Sequence, residues 1–165
     1  MTTVVFSLES VLTSGSNESI LANESFGQGR ILFDALKSQY RVIVLSSYPD
    51  AESVKGWLLR ERCSGFSFVY GYNVASGLSP EDWKVDKIRE LVSIGHHISF
   101  FVDGNPDTVR KVMELGVDAL LVAYTGKLPG SFGRDREIVP WYDLVQTVEQ
   151  HAVLKAAKAA GEDDE

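Results

Sequence analysis

The sequence predicts an α/β domain, a five-stranded parallel sheet with helices on both faces. Five short apolar runs rich in β-branched or aromatic residues recur: TVVF (3–6), VIVL (42–45), FSFVY (66–70), ISFFV (98–102) and ALLVAY (119–124). Each reads as a buried strand. The segments between them carry helical spacing, which is the alternation expected of a parallel sheet covered on both sides. A chain of 165 residues with 44% hydrophobic content is enough for one compact domain with a real core.

Each element has a local cause. The opening apolar run closes with a hydroxyl and a carboxylate two positions apart, Ser7 and Glu9. Residues 13–29, TSGSNESILANESFGQG, are polar, contain glycine and hold no period, so a loop or small flap is expected there. Ile31, Leu32, Ala35 and Leu36 then form an apolar stripe ahead of the second strand. Asp50 is the expected N-cap of a second helix whose stripe is Val54, Trp57 and Leu58. Ser79-Pro80-Glu81-Asp82 combines a capping hydroxyl, a proline at the first helical position and acids in the first turn, ahead of Val85, Ile88 and Leu91. Asn105-Pro106-Asp107 repeats the pattern before Val109, Val112 and Met113, with Gly116 as the stop. Pro140 starts a last helix carrying Trp141, Leu144, Val145 and Val148, which runs out into HAVLKAAKAA. One domain over residues 1–150 is expected, followed by an alanine-rich and then acidic tail, 151–165, that frays.

A formal charge of −7 argues against nonspecific binding to nucleic acid or to an anionic membrane, since both reward clustered Lys and Arg. Part of that charge is local, because GEDDE places four carboxylates in the last four residues. The single cysteine, Cys63, excludes an intrachain disulfide and a cysteine-rich metal site. No window approaches the roughly 18 apolar residues of a membrane span, and the N-terminus lacks a basic region followed by a long apolar core. A cytoplasmic protein in a reducing compartment is the expectation, with no nucleic-acid and no membrane partner.

In an open parallel sheet the loops at the carboxyl ends of the strands form the ligand crevice. Ser7 and Glu9 follow the first strand, Ser46 and Ser47 the second, and Asp103 to Asp107 the fourth; Lys84 opens the helix ahead of the fourth. All belong on one rim. His96 and His97 precede the fourth strand and so fall at the opposite edge, as solvated turn residues, while His151 lies on the last helix. Cys63 reads as a small packed residue without a basic partner. Plainer readings stand beside the functional one. Ser7 and Glu9 also fit a simple strand end, and Asp103 and Asp107 a turn and a helix start. Lys84 also fits a solvated helix position, with Lys87 one turn on as the competing lysine. Tyr48, Tyr72 and Trp83 fit either a recognition wall or packing.

VVFSLESVL resembles the first motif of the haloacid dehalogenase (HAD) superfamily, an apolar strand followed by Asp-x-Asp. VIVLSS resembles the second motif, a strand then Ser or Thr, and Lys84 in EDWKVDKIREL resembles the third-motif lysine. ISFFVDGNPDTVRKVMELGVDALLV resembles the fourth, an acid pair followed by a helix and a strand. The resemblance covers most of residues 3–148. It implies a three-layer Rossmann-like fold with a minimal cap or none, and a phosphohydrolase site. In that site the first aspartate attacks the phosphoryl group and the second protonates the leaving group; Ser/Thr and Lys hold the phosphate, and Mg²⁺ binds through the first and fourth motifs. Carried over by position, Ser7 and Glu9 stand at the nucleophile and acid-base places, Ser46, Ser47 and Lys84 at the phosphate-binding places, and Asp103 and Asp107 at the metal places. A receiver-type domain is the rival fold, but its acid pair belongs after the first strand. Its phosphorylated aspartate follows the third, where this chain has Gly71-Tyr72-Asn73.

The departure from the motif falls on the chemistry, with Ser7 for the nucleophilic aspartate and Glu9 for the acid-base aspartate. Enzymes accelerate phosphate monoester hydrolysis by up to ~10²¹-fold, a barrier reduction of well over about 20 kcal/mol. A neutral serine supplies neither the anionic nucleophile nor the hard oxygen ligand for Mg²⁺. Three functions are therefore expected candidates. The first is a domain with lost or severely reduced phosphohydrolase chemistry and a weakened Mg²⁺ site, kept for binding a phosphorylated small molecule or a protein partner. The second is an active Mg²⁺-dependent phosphatase of a small phosphorylated metabolite or nucleotide that uses another nucleophile, such as a water oriented by Glu9. The third is a purely structural component of a larger assembly.

Overall fold

The computed structural model describes residues 2–13 and 25–122. The chain divides into two compact units, Met1–Val122 and Ala123–Glu165, and every described residue belongs to the first. Several expectations therefore lie outside the described residues: loop positions 14–24, the end of the fifth strand at 123–124, the helix from Pro140, and the tail 151–165. The part of the expected 1–150 domain beyond Val122 lies outside them too.

Strands β1 (Thr3–Ser7), β2 (Arg41–Ser46), β3 (Phe66–Gly71), β4 (Ile98–Asp103) and β5 (Ala119–Leu121) form one parallel sheet in the order β3-β2-β1-β4-β5. Side chains alternate across a strand, so a run that is apolar at every position needs cover on both faces. Val4, Phe6, Val42 and Val44 meet Phe33 of α1 (Gly27–Lys37) and Val54, Trp57 and Leu58 of α2 (Ala51–Arg60). Val5, Ile43 and Leu45 meet Trp83, Val85, Ile88 and Leu91 of α3 (Pro80–Ser93) and Val112 of α4 (Pro106–Glu114). Each such side chain stabilises the fold by about 1.5–3 kcal/mol through burial, which suits β1, buried at every position, to the centre of the sheet. The architecture is the three-layer, Rossmann-like α/β sandwich that the alternation predicts.

Burial departs from expectation at the sheet edges. Phe68 on β3 is 46% exposed and Leu120 on β5 is 44% exposed, both on the terminal strands of the sheet. The first helix also differs. It begins at Gly27, inside the expected 13–29 loop, and its buried positions are Gly29 and Phe33, with Leu32 and Leu36 packed beside them. Ile31 is 72% exposed, so the expected stripe is rotated by one residue. Phe33 offers more area than Ile31 and packs its ring 5.4 Å from that of Phe6, and this tertiary gain overrides the poor helix propensity of two glycines.

The caps lie where the local chemistry puts them. Asp50 accepts from the N–H groups of Glu52 and Ser53, Ser79 from that of Asp82, and Asn105 from those of Asp107 and Thr108. After β3 the chain crosses to the other side of β1, so the strand order reverses between β1 and β4. The crevice outside their carboxyl ends is the ligand position of open α/β sheets. Ser7 ends β1 and Asp103 ends β4.

Candidate functional site

The site is built on the turn that follows β1. Leu8 still donates to the Leu45 carbonyl at 2.8 Å, and the N–H groups of Leu12 and Thr13 then fold back onto the Leu8 carbonyl at 2.9 and 3.1 Å. Ser10 adopts a left-handed φ of 64°. Leu8, Val11 and Leu12 are fully buried and anchor the turn in the core on the α1 and α2 side. Gly104, after β4, lies so close to this turn that a Cβ there would sit 2.7 Å from the Ser10 Cβ.

Anchored in this way, Glu9 reaches across to β2 and α3. Its Oε1 accepts from Ser46 Oγ at 2.8 Å and from the Ser47 N–H at 2.9 Å, and its Oε2 accepts from Lys84 Nζ at 3.0 Å. Lys84 Nζ also donates to Ser7 Oγ at 2.8 Å, and Ser7 Oγ donates to the Glu9 carbonyl at 3.1 Å. Ser46 Oγ in turn accepts from the Tyr48 N–H at 3.0 Å. Lys84 is 4% exposed, beside Val85 and Ile88 on the inward face of α3. Lys87 instead pairs with Glu90 at 2.6 Å and lies 5.0 Å from the centre of the Tyr70 ring. Desolvating an ion pair is expensive, and the Lys84–Glu9 pair is tolerated because hydrogen bonds satisfy both its ends.

Asp103 adjoins this network through Ser10. Its Oδ1 accepts from Ser10 Oγ at 3.0 Å and from the Asn105 N–H at 3.1 Å, while its Oδ2 is buried with no hydrogen-bond partner. Burial pushes the Asp103 carboxyl above its ordinary pKa, against the opposing pull of the Lys84 charge and of hydrogen bonds from Asn105, Ser10 and Gly104. The Asp107 carboxylate is engaged elsewhere, by Arg110 and Lys111 at 2.9 Å each. Lys111 also holds Asp82 at 2.8 Å and so ties α4 to α3. Partial burial pushes Asp107 up, but the hydrogen bonds from Lys111 and Arg110 outweigh it and leave its pKa low.

The structure thus joins Ser7, Glu9, Ser46, Ser47 and Lys84 in one bonded network, sets Asp103 against its edge, and commits Asp107 to the α3–α4 clamp. Magnesium requires near-octahedral oxygen coordination, usually with several waters. Among the described residues no three His, Cys, Asp or Glu side chains converge as a metal site. Asp103 offers one free oxygen shut away from solvent, Glu9 is neutralised by Lys84, Asp107 is held by two cations, and Ser7 is neutral. This donor set does not fit Mg²⁺.

The remaining candidates lie outside this network. His97 uses its carbonyl to accept from Thr3 at the amino-terminal edge of the sheet. Cys63 is fully buried, and burial pushes its thiol up to about 11. The Tyr72 and Trp83 rings meet edge to face at 5.8 Å, and Tyr48 packs against the α2 side of the core. A cleft of about 280 Å³ between α3 and α4, lined by Asp82, Asp86, Arg89, Lys111 and Glu114 among others, contains none of the rim residues that resemble the motifs. Ser10 was missed by sequence reasoning: only its backbone conformation brings its hydroxyl onto Asp103. Among the described residues no helix is long and apolar enough to cross a membrane.

No protein-family profile and no curated protein sequence matches the chain. Solved structures do share its fold. A chain of the Pnkp1/Rnl/Hen1 RNA repair complex superimposes with a TM-score of 0.64 at 17% identity, covering 76% of this chain and 43% of that one. A chain from a second structure of the Pnkp1/Rnl/Hen1 complex gives 0.60 at 17% identity, covering 74% and 46%. A haloacid dehalogenase-like family hydrolase from Streptococcus pneumoniae gives 0.52 at 12% identity, covering 74% and 85%. The chain spans less than half the length of the two chains from the RNA repair complex. At these identities the common property is the fold alone, a parallel α/β sheet.

Proposed function

We propose that the chain is a HAD-like domain with degenerate first-motif positions, whose hydrolytic chemistry is lost and which acts by binding. The condition of Ser7 carries this reading. Its hydroxyl proton points at the Glu9 carbonyl, and its oxygen accepts from Lys84. Nucleophilic catalysis needs a base to take that proton. Lys84 acts as donor to both Ser7 and Glu9 and so is no base for the hydroxyl, and the Glu9 carboxylate, occupied by three donors, is neither a free base nor a protonated leaving-group acid. A water oriented by Glu9 meets the same objection. A protein partner fits this reading better than a metabolite awaiting turnover, and the recurrence of the fold in a chain of a three-protein RNA repair complex supports it.

Purified protein incubated with p-nitrophenyl phosphate and MgCl₂ is expected to match the buffer blank. Ser7→Asp alone is expected to stay at the blank too, because Glu9 and Lys84 remain paired. A wild-type rate above the blank that disappears in Asp103→Asn refutes the proposal.

A further inference from the structure

Three donors converge on one carboxylate at the ends of β1 and β2. Ser46 Oγ, the Ser47 N–H and Lys84 Nζ reach the Glu9 oxygens at 2.8, 2.9 and 3.0 Å. Ser46, Ser47 and Lys84 are buried, whereas the Glu9 side chain that they hold is 13% exposed and so reaches solvent in part. A hydroxyl, an amide N–H and an ammonium aimed at one point complement an oxyanion. In this molecule the oxyanion they hold is the chain's own side chain.

We propose that this crevice is an oxyanion-binding site whose resident occupant is Glu9, and that an anion of the phosphate class enters it only when that side chain is withdrawn. The inference rests on reading Ser7 and Glu9 as non-hydrolytic, but it concerns occupancy rather than turnover. A carboxylate delivered within the chain competes at an effective concentration on the order of millimolar or higher, so a dilute free anion loses. The Glu9 backbone is held by buried Leu8, Val11 and Leu12, which confines withdrawal to rotation of the side chain toward solvent. Lys84 then keeps its bond to Ser7, and the vacated donors face the incoming anion.

The test uses the full chain with inorganic phosphate against chloride at matched ionic strength and neutral pH, followed by thermal melting and calorimetric titration. Wild type is expected to be indifferent to phosphate. Glu9→Ala is expected to bind it about tenfold or more tightly than wild type, with a melting temperature that rises with phosphate concentration. Adding Lys84→Met to Glu9→Ala is expected to abolish the gain. Glu9→Gln fills the same space but loses the charge and the acceptor that faces Lys84, and is expected to bind phosphate less tightly than Glu9→Ala. If Glu9→Ala does not fold in chloride, because Lys84 is left unpaired, phosphate is expected to restore a cooperative melt. The proposal is overturned if wild type or Glu9→Gln binds phosphate as well as Glu9→Ala does. It is equally overturned if folded Glu9→Ala ignores phosphate, or if unfolded Glu9→Ala is not rescued by it. Hydrolysis of p-nitrophenyl phosphate by wild type bears on the functional reading alone.

Discussion

Replacing Lys84 with methionine isolates the energetic centre of the site. The side chain is 4% exposed and its Nζ holds Glu9 at 3.0 Å and Ser7 at 2.8 Å, while its charge eases the burial of Asp103. Methionine refills the apolar part of the channel and deletes only the charge and its donors. Removing one member of a buried ion pair costs about 3–5 kcal/mol, because the other charge is stranded. Glu9 keeps its bonds from Ser46 and Ser47 and some access to water, which places the loss at the low end, about 3 kcal/mol. That is a large share of the roughly 5–15 kcal/mol that holds a domain together, and it corresponds to a fall in Tm of about 12 °C for a unit of this size. Urea unfolding followed by circular dichroism at pH 7 measures it. A cycle with Glu9→Gln tests whether the two groups act as a pair, with an expected coupling of about 2 kcal/mol. A Lys84→Met loss under about 1 kcal/mol, or strict additivity with Glu9→Gln, refutes the buried-pair argument.

Other perturbations probe neighbouring parts of the site. The folded-state pKa of Asp103 is raised from 3.8, so its contribution to stability is complete below that value and is lost as pH rises through the folded-state pKa. Wild type minus Asp103→Asn is therefore expected to fall in stability as pH rises from 3.8 and then to flatten, as read from urea midpoints; a pH-independent difference contradicts the burial argument. Gly104→Ala forces a Cβ to 2.7 Å from the Ser10 Cβ and 2.8 Å from its carbonyl oxygen, and is expected to cost about 1–3 kcal/mol in a thermal melt. Asn105→Ala removes the acceptor for the N–H groups of Asp107 and Thr108 and is expected to cost about 1 kcal/mol, with faster hydrogen exchange in the first turn of α4.

The helix starts were legible in the sequence because capping is local. Asp50, Ser79 and Asn105 each accept from N–H groups two or three residues ahead, so a short window holds both donor and acceptor. The central strands were legible for a related reason, since a run apolar at every position has no stable place except between two layers. Choices among near-equivalent neighbours were less accessible. Ile31, Leu32 and Ala35 make one helical stripe and Leu32, Phe33 and Leu36 another, and contact of Phe33 with Phe6 decides between them. Lys84 and Lys87 lie one turn apart on one helix, and only the rotation of α3 against the sheet turns the first inward and leaves the second with Glu90.

Periodicity, caps and the spacing of the polar strand ends thus determined the class of fold and the rim on which Ser7, Glu9, Ser46, Ser47, Lys84 and Asp103 stand. Those signals arise within a few residues along the chain. The tertiary structure alone decided how the rim residues pair: Glu9 takes the donors at Ser46, Ser47 and Lys84, and Asp107 turns to Arg110 and Lys111. The physical reason is that a charge in a low-dielectric crevice must find its partner among groups brought close by the sheet. Lys84 and Glu9 are 75 residues apart in sequence, a separation that no local pattern encodes.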